Sequence, residues 1–175
     1  MHTIFGMQPS AGRSKPRSLL ALAVFAGATV AVAAIGARAT RRGRGAWYRL
    51  LSKPAGQPPP QLFAPVWTTL YGLMALSAHR IFKAHPSRDR DRALRLWWGQ
   101  LILNGAWSPL FFGAHRARLA LVDLAGLTAA VGGYAHRASK VDRLAAWLMA
   151  PYLGWLGYAG WLNLGIVRRN PRLAG

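Results

Sequence analysis

The chain has 175 residues, 53% of them hydrophobic, and its 23 lysines and arginines against four acidic residues give a formal net charge of +19. The charges are clustered and the apolar stretches between them are nearly free of charge, which argues against a soluble domain, where charges spread along amphipathic helices. The pattern indicates a membrane protein with basic loops. Such loops meet anionic lipid headgroups, so we expect lipid and not nucleic acid as the partner of the positive charge.

Five apolar stretches are long enough to cross a bilayer, since about 20 helical residues span its hydrocarbon core. The sequence therefore predicts an all-α integral membrane protein, a bundle of five transmembrane helices. The predicted spans are residues 19–37, 62–82, 94–113, 119–135 and 145–167. They form one domain over residues 19–171, between a basic N-terminal extension, 1–18, and a short tail, 172–175.

The first span allows two interpretations. Basic residues followed by an apolar run are typical of a signal peptide, here with a poor cleavage site at Ala37-Arg38-Ala39, or of a transit sequence. The run is longer than the apolar region of a typical signal peptide, so we predict a retained first helix. Basic residues are nearly balanced between alternate loops and predict no membrane orientation.

Three of the predicted helices carry an aromatic residue beside polar groups on one face. In lipid an unpaired amide is costly, so these faces should point into the bundle and are predicted to line an apolar ligand pocket. The faces comprise Trp67 and Tyr71 in the second span, Gln100, Asn104 and Trp107 in the third, and Tyr152, Trp155, Ala159 and Asn163 in the fifth.

Core packing and membrane anchoring are the alternatives to a pocket for the eight tryptophans, since tryptophan is enriched at both membrane interfaces. We assign the tryptophans near span ends to such a belt: Trp47, Trp97, Trp98 and Trp147. Trp67 lies close enough to the start of its span to belong to either group, whereas Trp107 and Trp155 lie nearer mid-span.

Asp123 is the only acidic residue inside a predicted span. A carboxylate there needs a partner or a proton. It could cap the helix N-terminus, pair with an arginine such as Arg116, or relay protons; we favour the ion pair or the cap. Two prolines inside spans, Pro109 and Pro151, are predicted to bend their helices.

Small residues at four-residue spacing allow close helix packing, either within the chain or in a homodimer. They are Ala23, Gly27 and Ala31 in the first span and Ala125, Ala129 and Gly133 in the fourth. The sequence contains no cysteine, and no histidine pair has ligand spacing, so neither a disulfide nor a metal site is predicted.

Three segments resemble the TspO/MBR family of tryptophan-rich sensory proteins and translocator proteins. They are "WYRLLSKP....PP....APVWTTLY" at 47–71, "GQLILNGAWSPLFFGAHRARLALVDL" at 99–124 and "APYLGWLGYAGWLNL" at 150–164. The resemblance covers residues 19–171 and implies a five-helix bundle that binds tetrapyrroles such as porphyrin or haem and, in many relatives, sterols and benzodiazepine-type ligands. No cofactor is implied.

The resemblance also implies which residues form the site. Trp67 and Trp155 match pocket tryptophans of the family, and further pocket positions fall on Tyr71, Asn104, Trp107 and Ala159. The proline-rich first loop is then a stiff lid over the pocket. This chain lacks two lid tryptophans, with Ala55-Gly56 and Gln61 in their places, and has Leu164 at the tyrosine of the sterol motif, so cholesterol is not expected.

The expected function is a membrane receptor or sensor that binds, carries or regulates tetrapyrroles. One alternative is light- and oxygen-dependent porphyrin breakdown that uses Trp67 and Trp155 as redox partners, and nothing in the sequence itself indicates turnover. Another is a porphyrin or sterol transporter, although five spans without an internal repeat argue against active transport. The arginine-rich N-terminus favours a bacterial membrane over a mitochondrial outer membrane.

Overall fold

The computed structural model describes residues 15–175. Residues 1–14 of the predicted N-terminal extension lie outside this range. Within it the chain is all-α, as predicted, with five long helices and two short ones. The helices are α1 (Lys15–Gly43), α2 (Ala46–Leu50), α3 (Pro60–Lys83), α4 (Arg88–Ser108), α5 (Ala117–Ser139), α6 (Arg143–Trp147) and α7 (Ala150–Arg169); a π-helical turn, Pro109–Gly113, extends α4.

The long helices pack as one bundle. The α4 helix packs along α5, α1 packs against α3 and α4, and α5 packs against α7. A continuous apolar core joins them, and its largest fully buried side chains include Met74, Trp97, Tyr134 and Tyr152. In a smaller apolar cluster, the π-helical turn packs against the start of α5 and the end of α7.

Among residues 15–175, two helices are long and apolar enough to cross a membrane by length and composition alone, α1 from Pro16 onward and α5. The α1 helix is not a buried core helix, because large apolar side chains along it stay uncovered by the rest of the described chain. These are Leu19, Leu20, Val24, Val30 and Ile35, each about half or more exposed. Such a surface is stable in lipid and costly in water.

The helix that contains the third predicted span starts earlier than its apolar run. Ser87 is the N-cap, and its side chain accepts a hydrogen bond of 3.1 Å from the backbone N–H of Arg90. Asp89 and Asp91 lie in the first turn, where carboxylates stabilise the positive end of the helix dipole. The start of α4 is therefore set by capping and charge, which a search for apolar runs does not detect.

The two prolines behave differently from each other. Pro109 begins the π-helical turn after α4, so the predicted distortion is present there. The predicted span around Pro151 is also interrupted, but the break precedes the proline, which lies in the first turn of α7. The chain turns at residues 148–149 between α6 and α7, and a proline in a first helical turn costs no hydrogen bond.

A close backbone approach brings the end of α1 to the π-helical turn. Gly43 is buried there, and a Cβ atom at this position would collide with the backbone carbonyl of Phe112. Only glycine allows this approach, which fixes α1 against the segment that follows α4.

Candidate ligand-binding site

Four aromatic rings from α3 and α7 meet near one end of the bundle; we call Trp67, Tyr71, Tyr152 and Trp155 the aromatic cluster. The Trp67 ring stacks on Tyr71, with centroids 5.2 Å apart. It meets Trp155 edge to face at 6.2 Å and Tyr152 at 6.4 Å. Phe63, one turn before Trp67, meets Trp155 at 6.1 Å. The two tryptophans are half-buried, whereas Tyr152 is 1% exposed.

A chain of hydrogen bonds crosses three helices at the inner side of the aromatic cluster. The Tyr71 hydroxyl donates to Asn104 Oδ1 over 2.9 Å, and Asn104 Nδ2 donates to the Tyr152 hydroxyl over 2.6 Å. A single amide on α4 thus holds the two tyrosines that flank Trp67. The cluster therefore has an apolar outer part and a polar inner wall, the combination found in small-molecule sites.

The other two predicted site residues lie beside the aromatic cluster. Ala159 is half-buried and packs against the main core one turn after Trp155. Trp107 follows Asn104 by one turn, but its ring contacts within residues 15–175 are with Phe111, stacked at 5.1 Å, and Phe112, at 6.0 Å. The structure thus brings Trp67, Tyr71, Tyr152 and Trp155 into contact and places Trp107 in a neighbouring aromatic group.

The three intramembrane amides face inward, as predicted. Gln100 is 0%, Asn163 2% and Asn104 8% exposed. Asn163 joins α7 to α5. With the amide oxygen and nitrogen assigned from their neighbours, the nitrogen donates to the Ala117 carbonyl and the oxygen accepts from the Leu121 N–H, both over 3.1 Å. Both side-chain polar atoms of Gln100 are buried without a hydrogen-bond partner among the described residues.

The predicted pairing of Asp123 is wrong. The ion pairs within the described range join Arg80 to Asp142, Arg90 to Asp91 and Arg137 to Asp89. The first turn of α5 contains no acidic residue, so Asp123 does not cap this helix either. Asp123 Oδ2 is buried and unpartnered among the described residues, as is Trp107 Nε1. Asp123 is half-buried and lies about two turns along α5 from its N-cap, Arg116.

The belt assignment of Trp97 is also wrong. Trp97 is 0% exposed, and its Nε1 donates to the Met74 carbonyl over 3.1 Å. Its ring packs edge to face on Phe25 at 4.9 Å. The reason is that Trp97 lies on the face of α4 that points into the bundle, together with Gln100 and Asn104, whereas Trp98 lies on the outer face. Trp98 and Trp147, by contrast, are 40% and 72% exposed.

The proline-rich loop, residues 51–59, is attached to α7 at two points. Asn170, just after α7, accepts from the Ser52 N–H and donates to the Ser52 carbonyl, both over 2.9 Å. The Tyr158 hydroxyl donates to the carbonyl of Gly56, whose φ of 85° favours glycine. The Tyr158 ring lies 5.6 Å from Trp155, so the loop passes beside the aromatic cluster.

Sequence reasoning did not identify Tyr158 and Trp161 as neighbours of the site. Both extend the face of Trp155 at three-residue steps, which is the signal that was available. Trp161 stacks on Tyr158 at 6.0 Å, and a Cβ atom at Gly56 would contact the Trp161 ring at 3.4 Å. A ring from α7 therefore lies beside the loop at Gly56.

Two shallow grooves lie elsewhere, on the outside of the bundle. One, of about 440 Å³, runs between α4 and α5, and the other, of about 530 Å³, between α5 and α7. The rings of the aromatic cluster pack on one another, so a ligand entering there has to separate them.

Comparison with known proteins agrees with the architecture. The model of the TspO/MBR family matches residues 24–169. The Translocator protein of Bos taurus is 42% identical over 78% of this chain and 82% of its own length. Protein CrtK of Rhodobacter capsulatus is 37% identical over 87% of this chain and 96% of its own, and the Tryptophan-rich protein TspO of Chlorobaculum tepidum 31% identical over 89% and 99%. The chain, a helical membrane protein, therefore belongs to the TspO/MBR family.

Proposed function

We propose that the protein binds a planar tetrapyrrole, such as a porphyrin or haem, between Trp67 and Trp155. The observation that supports this most is the edge-to-face contact of these rings across α3 and α7, at 6.2 Å, in front of a polar inner wall. Both indoles are half-buried, so each has a face that a flat apolar ligand can cover. An aromatic contact contributes about 1 kcal/mol beyond burial of area.

The polar groups near the aromatic cluster suit a ligand with hydrogen-bonding atoms. Trp107 Nε1 can donate and Asp123 Oδ2 can accept, and both are buried without a partner among residues 15–175. A tetrapyrrole carries its carboxylates and other substituents at the edge of its ring, whereas its pyrrole nitrogens point to the centre of the macrocycle. On this proposal the carboxylates point toward the loop.

The loop side offers cations for those carboxylates. Lys53 Nζ lies 4.4 Å above the Tyr48 ring, and Arg49 is exposed in α2. A carboxylate paired with either residue gains a charge-assisted hydrogen bond.

The role proposed for the protein is that of a receptor, sensor or carrier that holds a tetrapyrrole at the membrane. A bacterial membrane is proposed as its location, since CrtK and the Chlorobaculum protein match over nearly their whole length.

Titration of the purified protein with protoporphyrin IX in the dark tests this proposal. Replacing Trp67 and Trp155 together by Phe should weaken binding roughly ten-fold, as judged from the porphyrin absorbance band, which does not depend on the number of tryptophans left. The matched control, Trp98→Phe with Trp147→Phe, also removes two indoles, both outside the cluster, and should bind as the parent does. Equal affinity of the two double variants would refute the site.

A further inference from the structure

The outer groove between α4 and α5 combines an apolar floor with a cationic end. Its apolar part is formed by Leu96, Gly99, Leu103 and Ala130. The groove is open at Gly99, where an added Cβ atom would meet nothing within 4 Å. Its remaining lining is basic: Arg92, Arg95 and Arg137.

The charge at this end is only partly neutralised by the described chain. Asp89 pairs with Arg137 over 2.9 Å, and Asp91 pairs with the neighbouring Arg90 over 2.8 Å. Arg92 and Arg95 lie one turn apart on α4, are exposed, and form no ion pair within residues 15–175. Two unpaired guanidinium groups therefore stand over the mouth of the groove.

The position of these arginines along the helices matches the layering of a bilayer. Arg92 and Arg95 lie in the first two turns of α4, and Arg137 in the last turn of α5. The two helices are antiparallel neighbours, so all three arginines lie at one end of the bundle, and the apolar floor extends from there toward its middle. Cations at headgroup depth above an apolar channel at acyl-chain depth match the two parts of a phospholipid.

We propose that this groove is a binding site for an anionic phospholipid. The lipid phosphate is held by Arg92, Arg95 and Arg137, and one acyl chain lies along Leu96, Gly99 and Leu103. A second copy of the chain is a poorer occupant, because a two-fold contact through this face would bring six arginines together. The groove between α5 and α7 provides a contrast, since its lining, which includes Leu124, Gly157 and Gly160, carries no charged residue.

Native mass spectrometry of the full chain with equal amounts of phosphatidylglycerol and phosphatidylcholine tests this proposal. The parent should retain phosphatidylglycerol selectively. Arg92→Gln with Arg95→Gln should lower the retention of that lipid roughly ten-fold, since each arginine near a membrane surface adds to the attraction for anionic lipid. Gly99→Leu, which fills the groove without a change of charge, should also lower it. Unchanged unfolding temperatures would show that the variants are folded.

The matched control is Arg38→Gln with Arg41→Gln, which removes the same charge at the same spacing from exposed positions near the end of α1. It should retain phosphatidylglycerol as the parent does. An equal loss in this control would overturn the site, as would equal retention of the two lipids by the parent. So would a dimer that Gly99→Leu abolishes while lipid retention is unchanged, because a second copy would then fill the groove.

Discussion

The two halves of the α3 helix differ in how completely the bundle buries their inward side chains. In the second half, Met74, Ser77 and Ala78 are 0% exposed. Ser77 Oγ donates to the Ala145 carbonyl over 2.6 Å, so the Tyr134 hydroxyl, also 2.6 Å away, is the donor to Ser77. In the first half Trp67 and Tyr71 are only half-buried.

The two regions also differ in the hydrogen bonds of their ring side chains. Near the second half of α3, Trp97 Nε1, Ser77 and Tyr134 all have partners, although Arg80 Nε and Arg90 Nε at that end have none in the described chain. Toward the aromatic cluster, Trp107 Nε1 and Asp123 Oδ2 are buried without one in the described chain. A fully satisfied aromatic group stabilises the bundle, whereas exposed ring faces and unpaired polar atoms leave interactions for a ligand to make.

The largest expected effect separates the two ends by stability. Trp97→Ala removes a fully buried indole and its hydrogen bond, and should cost about 3–5 kcal/mol of the free energy of unfolding. Trp67→Ala removes a half-buried indole and should cost clearly less, while weakening porphyrin binding. Thermal unfolding in detergent, with and without protoporphyrin IX, measures both. Equal loss of stability in the two variants would mean that Trp67 serves mainly as core.

The hydrogen-bond chain behind the aromatic cluster should have an intermediate effect. Asn104→Ala leaves the Tyr71 and Tyr152 hydroxyls without their partner, at a cost of roughly 1–3 kcal/mol. Replacing all three polar groups, with Asn104→Leu, Tyr71→Phe and Tyr152→Phe, should recover most of the stability, because no orphaned group remains. Denaturation midpoints measure both variants. A triple variant less stable than Asn104→Ala would show that the cost does not come from hydroxyls left without a hydrogen-bond partner.

The loop is expected to influence binding more than folding. Replacing Pro58 and Pro59 of the loop and Pro60 at the start of α3 by Ala gives the ligand-free backbone more conformations, an effect of about 0.4–1 kcal/mol per proline. If the loop orders over the aromatic cluster, porphyrin affinity should fall several-fold with a smaller change in unfolding temperature. A parallel loss of affinity and stability would identify the loop as a structural spacer.

The smallest effect is expected for the ion pair between Arg80 and Asp142, 2.8 Å long and partly exposed. Asp142→Asn removes the charge but keeps an N-cap for α6, where Asp142 accepts from the Ala145 N–H, and should cost at most about 1 kcal/mol. Asp142→Ala also loses the cap and should cost about 1 kcal/mol more. Identical midpoints for the two variants would contradict the capping contribution.

The all-α bundle and its inward amides were predictable because charge clusters and apolar runs report directly on burial in lipid. The partners of individual residues were not. Trp97 and Asp123 were both misplaced: the first because closeness to a span end does not tell which face of α4 carries the ring, the second because its surroundings depend on how α4, α5 and α7 converge. Spacing predicted which face of a helix Trp67 and Trp155 occupy, but only the tertiary arrangement shows that these faces meet.

A structure of the protein in complex with protoporphyrin IX would show whether the ligand binds between the two indoles. We expect the macrocycle in van der Waals contact with both Trp67 and Trp155, and the two ring centroids moved apart from 6.2 Å to admit it. A macrocycle bound in the groove between α4 and α5 or between α5 and α7, with the two indoles still in mutual contact, would contradict this expectation.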